Sequence, residues 1–359
     1  MKRKILNIFP SSSFLAQYAE MVALHFDPKG HRFIIFGSVG PESEYLSGPV
    51  YLGVEKSKLA KISVLIRECL RARLIIVHSF QAPVLSLVFA ALPFLSRKTC
   101  WALWGWDLYQ KKLARRTLSY RLMELFRFAF IKRVAAITTT IPGDYNNAVD
   151  WYGCNAIYIE NIMYKSHVAR ANLQGRAFEK ESRDGIRRIQ IGNSSDPSNE
   201  HRYIIDRLAR FTNMEVEVFA PLSYGDVANA KSVIEYGKDK LGNRFHPITH
   251  MMSFSDYSVH LSKIDIAIFN HHRQQAMGNI IGLLSLGKKV FIRSDISPWE
   301  YFKEKGFAIY DTCGTWDLSP LDDSLAERNK RLASSFFNEA RMIDSWLMVF
   351  SGAWLANHR

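Results

Sequence analysis

Short apolar runs alternate with amphipathic stretches along most of this chain. The runs at residues 4–9, 32–37, 73–79, 99–105, 134–140 and 156–161 are predominantly apolar, the pattern of strands buried on both faces of a parallel sheet. Helical spacing lies between several of them, at residues 14–26, 58–70 and 116–130. This alternation predicts a doubly wound α/β domain. The rhythm lapses over residues 163–184, a polar stretch rich in Lys, Arg, Glu and Ala, and resumes with runs at 187–192, 215–220, 264–270, 288–294 and 307–311. A terminal segment, residues 335–355, carries the mixed apolar stripe of a helix. The expected organisation is an N-terminal domain over 1–165, a linker over 166–185 and a C-terminal domain over 186–334. A final helix over 335–359 can pack back on the first domain. The fold class expected is therefore α/β, with two Rossmann-like domains.

A length of 359 residues suits two cores better than one. Composition changes the picture through charge: 47 Lys and Arg against 34 Asp and Glu give a formal net charge of +13. Such a balance suits an anionic partner, whether nucleic acid, an acidic membrane surface or a phosphorylated substrate. Cys69, Cys100, Cys154 and Cys313 form no C-x-x-C pair, so they are expected to be inert buried thiols in a reducing compartment. Met1-Lys2-Arg3-Lys4 opens like a signal peptide, but the apolar part ends at Pro10-Ser11-Ser12-Ser13, so a first buried strand is expected instead. The most apolar later stretch, residues 84–95, is too short to span a bilayer. A soluble or peripheral protein is expected.

Four segments could carry chemistry. In Ile191-Gly192-Asn193-Ser194-Ser195-Asp196-Pro197-Ser198-Asn199-Glu200-His201 a strand runs into small polar residues, with a helix expected from Ser198 or Asn199. A helix start favours an anion, although Ser and Asn are also ordinary caps. In Asn270-His271-His272-Arg273-Gln274-Gln275-Ala276-Met277-Gly278 a second strand ends; Arg273 can pair bidentately with phosphate, and Gly278 would let a helix start come close. The adjacent histidines diverge and no third ligand is evident, so a metal is not expected. Three tryptophans and a tyrosine surround an acid in Trp101-Ala102-Leu103-Trp104-Gly105-Trp106-Asp107-Leu108-Tyr109. That suits a sugar ring, with Trp101 read as core. Residues 111–133 carry Lys111, Lys112, Arg115, Arg116, Arg121, Arg127, Lys132 and Arg133 against the single acid Glu124. A basic amphipathic helix of this kind suits an anionic membrane, with a nucleic-acid face as the rival.

No G-x-G-x-x-G, P-loop, zinc spacing or D-x-D occurs. The strings Trp104-Gly105-Trp106-Asp107-Leu108-Tyr109, Gly192-Asn193-Ser194…Asn199-Glu200-His201 and Arg273-Gln274-Gln275 resemble glycosyltransferase family fifty-six. Its members complete the enterobacterial common antigen trisaccharide, moving 4-acetamido-4,6-dideoxygalactose (Fuc4NAc) from TDP to an undecaprenyl-diphosphate-linked disaccharide. The resemblance implies the B-type plan, two domains facing each other across a cleft, with an acceptor- and membrane-facing N-terminal domain and a nucleotide-sugar-binding C-terminal one. It implies donor contacts from Gly192, Asn193, Ser194, Asn199 and His201, diphosphate contacts from Arg273, Gln274 and Gln275 beside Gly278, and acceptor contacts from Asp107 and His78. Trp106, Tyr109, Lys111, Lys112, Arg115 and Arg116 would form the acceptor and membrane surface. Trp106 replaces a small residue of the family pattern, and Ala276-Met277-Gly278 replaces a more glycine-rich string; both departures leave the sugar open.

The implied reaction is a retaining, metal-independent transfer. It needs no cofactor, uses a TDP-sugar donor and a polyprenyl-linked acceptor, and takes place at the cytoplasmic face of the bacterial inner membrane with no nucleic-acid partner. Arg273 would stabilise the leaving diphosphate, and His78 or Asp107 would orient the acceptor hydroxyl. A B-fold nucleotide-sugar epimerase and a basic nucleic-acid-binding protein are the alternatives.

Overall fold

The computed structural model describes residues 4–37, 40, 44–46, 48–53, 56–169 and 185–358. The chain divides into two compact units, residues 1–165 with 339–359, and residues 166–338. Of the expected linker, residues 170–184 lie outside the described residues.

The first unit runs β1 (Ile5–Pro10), α1 (Ser13–His25), β2 (His31–Phe36), β3 (Val50–Tyr51), α2 (Lys58–Arg71) and β4 (Leu74–His78). It continues through α3 (Pro83–Ala91), β5 (Thr99–Ala102), α4 (Trp106–Leu113), α5 (Leu118–Ile131), β6 (Ala136–Thr139), α6 (Pro142–Tyr152) and β7 (Ile157–Glu160). Its strands form one sheet in the order β3-β2-β1-β4-β5-β6-β7, and every pair is parallel. Residues 74–78 are all buried, because helices cover both faces of a parallel sheet. Phe80, Phe89 and Phe130 stack with centroids 4.1 and 4.6 Å apart, locking α3 and α5 onto the sheet.

The second unit holds β8 (Arg187–Ile191), α7 (His201–Leu208), β9 (Val216–Pro221), α8 (Val227–Leu241), β10 (Phe245–Ile248) and α9 (Phe254–Lys263). It closes with β11 (Ile266–Phe269), α10 (Met277–Ser285), β12 (Lys289–Ile292), α11 (Ser297–Glu304), β13 (Tyr310–Asp311) and α12 (Asp323–Phe336). The sheet order is β10-β9-β8-β11-β12-β13, again wholly parallel. In each sheet the strand order reverses at one place, β1/β4 and β8/β11. Loops leaving the carboxyl ends of those strands diverge there and open a crevice for a ligand.

The single terminal helix expected over 335–355 is two helices. Helix α12 ends at Phe336, and α13 (Glu339–Ser351) begins after Asn338, with Phe337 at φ −121° outside helical geometry. Helix α13 belongs to the first unit, where Trp346 Nε1 donates to the Met163 carbonyl at 3.1 Å and Ser345 Oγ donates to Asn161 Oδ1 at 2.6 Å. Of the four thiols expected to be buried, Cys313 is exposed; it follows β13 in a surface turn, where its N–H donates to Asp311 Oδ1. No helix among the described residues is long and apolar enough to cross a membrane.

Candidate functional site

In the second unit, the loops after β8 and β11 meet at the switch point and are tied together by side chains. Asn199 is the hub. Its Oδ1 accepts from the Asn193 backbone N–H at 2.8 Å and from His271 Nε2 at 2.8 Å. Its Nδ2 donates to Ser194 Oγ at 3.2 Å and to the Asp196 carbonyl at 2.9 Å. Gln275 joins the two loops again, donating to Asn193 Oδ1 at 3.1 Å and accepting from Ser198 Oγ at 2.8 Å. Gly192 sits at φ +63°, and a Cβ there would lie 2.6 Å from Asn199 Oδ1 and 2.7 Å from His201 Nε2. Only glycine fits that position without strain.

Helix α7 begins at His201, not at Ser198 or Asn199 as expected. Residues 197–199 form a 3-10 turn capped by Asp196, and Glu200 takes a left-handed φ of +54° before the helix opens. His201 is 2% exposed, and neither of its ring nitrogens has a hydrogen-bond partner among the described residues. Arg273 and Gln274 are also nearly buried; Arg273 Nη1 donates to the Gln274 carbonyl at 3.0 Å, and Gln274 Oε1 has no partner among the described residues. Helix α10 then starts from Ala276, at φ +59°. Gly278 does not open onto a ligand: a Cβ there would lie 2.8 Å from the Ser166 carbonyl, so the chain's own backbone fills that space.

One contributor has no signal in the sequence, and another reads there only as half of a possible metal pair. Tyr224, from the loop after β9, accepts from Asn193 Nδ2 at 2.7 Å, and its carbonyl accepts from Ser195 N–H and Oγ, both at 2.8 Å. His271 fixes the Asn199 amide. The only trace of Tyr224 is an aromatic residue just beyond a strand end.

In the first unit Asp107 and His78 are both buried. Asp107 is 0% exposed, with Oδ2 accepting from Trp101 Nε1 at 2.7 Å and Phe80 N–H at 3.0 Å, and Oδ1 accepting from Trp104 N–H at 3.0 Å. Burial pushes its carboxyl pKa up, against the pull of those hydrogen bonds and of Arg127. Bonded in this way, it holds the turn from β5 into α4. His78 is 1% exposed. It stacks on Phe9 at 3.5 Å and bonds through Nδ1 to the Tyr164 hydroxyl at 3.0 Å, which also accepts from Trp104 Nε1 at 2.6 Å. Trp101 is core, while Trp106 stays exposed.

The basic helix expected over 111–133 is split between α4 and α5. Tyr109 is buried and donates to Asp144 Oδ1 at 2.8 Å. Lys111 is turned inward, donating to the Trp151 carbonyl with its ammonium 3.9 Å from the Tyr152 ring centroid. Lys112 lies 4.1 Å over Trp151. Arg127 is buried, bonded to the Phe80 and Asp107 carbonyls and paired with Glu124 at 2.9 Å. What faces outward is an apolar stripe, Leu118, Leu122, Leu125 and Phe128, with Leu118 84% exposed. Arg115, Arg116, Arg121, Lys132 and Arg133 flank it and are exposed.

Burial pushes the imidazoles of His31, His167 and His201 down to about 4 and holds those of His78 and His271 well below the usual histidine range. An unfolded chain takes up these protons near pH 6.5. The stability they contribute is therefore whole above that pH and is lost as pH falls toward 4, by up to about 1.4 kcal/mol per histidine per pH unit. Melting followed from pH 7 to 5 should show a steep fall in Tm. A flat profile would mean that these imidazoles are not held neutral.

Two parallel α/β units, with a polar, arginine-bearing site at the switch point of the second, define the B-type fold class of glycosyltransferases. The chain is similar to the structure of Anabaena Alr3699/HepE in complex with UDP and glucose, with a TM-score of 0.69 at 13% identity over 97% of this chain and 99% of that one. It is also similar to a glycosyltransferase from Rickettsia africae, with a TM-score of 0.65 at 12% identity over 98% of both chains. A putative UDP-N-acetylglucosamine 2-epimerase from Listeria monocytogenes shares the fold, with a TM-score of 0.56 at 14% identity over 97% of this chain and 96% of that one. The family model for 4-alpha-L-fucosyltransferases, glycosyl transferase group 56, matches residues 13–339, and the chain belongs to that family.

Proposed function

We propose that this glycosyltransferase moves Fuc4NAc or a related deoxyamino sugar from a TDP carrier to an undecaprenyl-diphosphate-linked saccharide. The reaction would serve surface polysaccharide synthesis, of common antigen or O-antigen type, at the cytoplasmic face of the bacterial inner membrane. The observation that carries this reading is the convergence, in a member of this family, of the Gly192–Glu200 and Asn270–Ala276 loops at the β8/β11 switch point, with Arg273 beside the start of α10. The UDP held by the Anabaena protein supports a nucleotide-sugar donor.

In the reaction, the bond from the anomeric carbon to the diphosphate oxygen breaks and the acceptor oxygen bonds to the same face of that carbon. The acceptor proton passes to the departing phosphate. Arg273 and the first N–H groups of α10 offset the charge that develops there, so no metal is required. His78 and Asp107 act from beneath the surface, by positioning the loops that carry Trp104 and Trp106.

The test is the melting temperature of the purified protein with TDP, UDP, GDP and ADP, with and without a chelator, followed by transfer to lipid-linked saccharides. A chelator-insensitive rise with TDP and transfer of the sugar are expected; a ligand at a hundred times its Kd adds about 2.7 kcal/mol. Conversion of the donor alone, without transfer, would make the chain an epimerase.

The stripe on α5 and its basic flanks are proposed to dock on the anionic leaflet. Leu122→Glu with Leu125→Glu should cut flotation with anionic vesicles by more than about tenfold, since two apolar anchors are lost. Raised salt should weaken what remains. Flotation indifferent to both changes would remove α5 from the membrane.

A further inference from the structure

We propose that His201 recognises an uncharged hydrogen-bonding group on the donor's sugar, a hydroxyl or an acylamino group, and takes no part in holding the diphosphate. The inference rests on the donor-site reading above and divides that site in two.

His201 stands at the first position of α7, 2% exposed, with both ring nitrogens unpartnered among the described residues. Buried polar atoms are rarely left so in a folded protein, and where they are, a ligand or an ordered water usually completes them. Nε2 packs against the Gly192 backbone at the end of β8, close enough that a Cβ there would lie 2.7 Å away, so the unpartnered ring sits in the same loop pair as Asn193 and Asn199. Neighbouring polar groups are already committed. Asn199 Oδ1 is filled by the Asn193 N–H and His271 Nε2, and Asn193 and Gln275 hold each other.

Charge decides which part of a nucleotide-sugar comes here. Burial pushes the His201 imidazole down to about 4, opposed only by Asp196, so near neutral pH the ring has one N–H donor and one acceptor nitrogen. A phosphate oxygen only accepts, so it can meet the ring's N–H alone and without the added attraction of a charge. Sugar hydroxyls and acylamino groups both donate and accept, and suit either nitrogen. The cation for the diphosphate is Arg273, in the other loop at the head of α10.

The experiment is titration calorimetry of the full chain with TDP and UDP, and with their hexose and 6-deoxyhexose conjugates, on wild type, His201→Ala and His201→Leu. The leucine variant keeps the buried volume filled if alanine does not fold. In wild type, at least one conjugate should bind more tightly than its own diphosphate. Both variants should erase that advantage, a loss of about tenfold or 1.4 kcal/mol, while bare TDP or UDP changes by less than about twofold. Equal weakening of the bare diphosphate would place the ring on phosphate and overturn the proposal. So would an advantage that survives both variants, or a wild type that prefers no conjugate. Failure of wild type to bind any diphosphate would instead remove the donor site itself, and this proposal with it.

Discussion

Arg273→Ala is expected to lower kcat by about 10²–10³-fold, the scale seen when one preorganised electrostatic contact to developing charge is removed. Arg273 is 8% exposed, in the loop between β11 and α10, with Nη1 anchored on the Gln274 carbonyl at 3.0 Å. It is thus held before substrate arrives and needs no reorganisation as the glycosidic bond breaks. Charge on the diphosphate grows as that bond breaks, so the loss falls more on kcat than on the donor's KM. Arg273→Lys should recover only part of the rate. An ammonium supplies a point charge where guanidinium supplies two parallel N–H donors, and a shorter reach from a nearly buried backbone adds to the deficit. The measurement is transfer from the TDP-sugar by both variants, with melting curves to show that they are folded. Turnover by the alanine variant near that of wild type would end the leaving-group role.

The sheet strands were legible because burial on both faces leaves continuous apolar runs, and those runs located β1, β2, β4 to β9 and β11 to β13 to within a few residues. Strands β3 and β10 were not legible, for physical reasons. Both are edge strands; β3 is two residues long, and β10 carries His246 and Pro247, which an edge tolerates and a central strand does not. The polar loops after β8 and β11 could be picked out, since small and amide residues end an apolar run abruptly. Tyr224 could not, because it comes from a different loop and only the order β9-β8-β11 brings it to Asn193. The outward face of α5 was hidden for another reason. Arg127 and Lys111 look in sequence like any other surface cation, and only tertiary contacts turn them inward.

Asp107 shows the same ambiguity in its strongest form, since a carboxylate beside three tryptophans reads equally as a sugar ligand or as a scaffold. The two roles predict opposite behaviour for Asp107→Asn. A carboxylate that oriented an acceptor would lose turnover on becoming an amide, with the fold untouched. A carboxylate that only accepts hydrogen bonds from buried donors must lose stability instead. Oδ1 receives the Trp104 N–H, while Oδ2 receives the Phe80 N–H and the Trp101 indole. Whichever way the asparagine amide is turned, its NH₂ meets at least one N–H donor head-on. That leaves a buried donor unpaired and removes a negative charge from the first turn of α4 and the vicinity of Arg127. An unsatisfied buried group costs about 1–3 kcal/mol, and breaking up a buried charged network about 3–5 kcal/mol. Asp107→Asn should therefore lower the urea midpoint by about 2–4 kcal/mol equivalent with the denaturant slope unchanged. Turnover per folded molecule, measured well below the melting range, should fall by less than about tenfold. Full stability with lost turnover would return Asp107 to the acceptor.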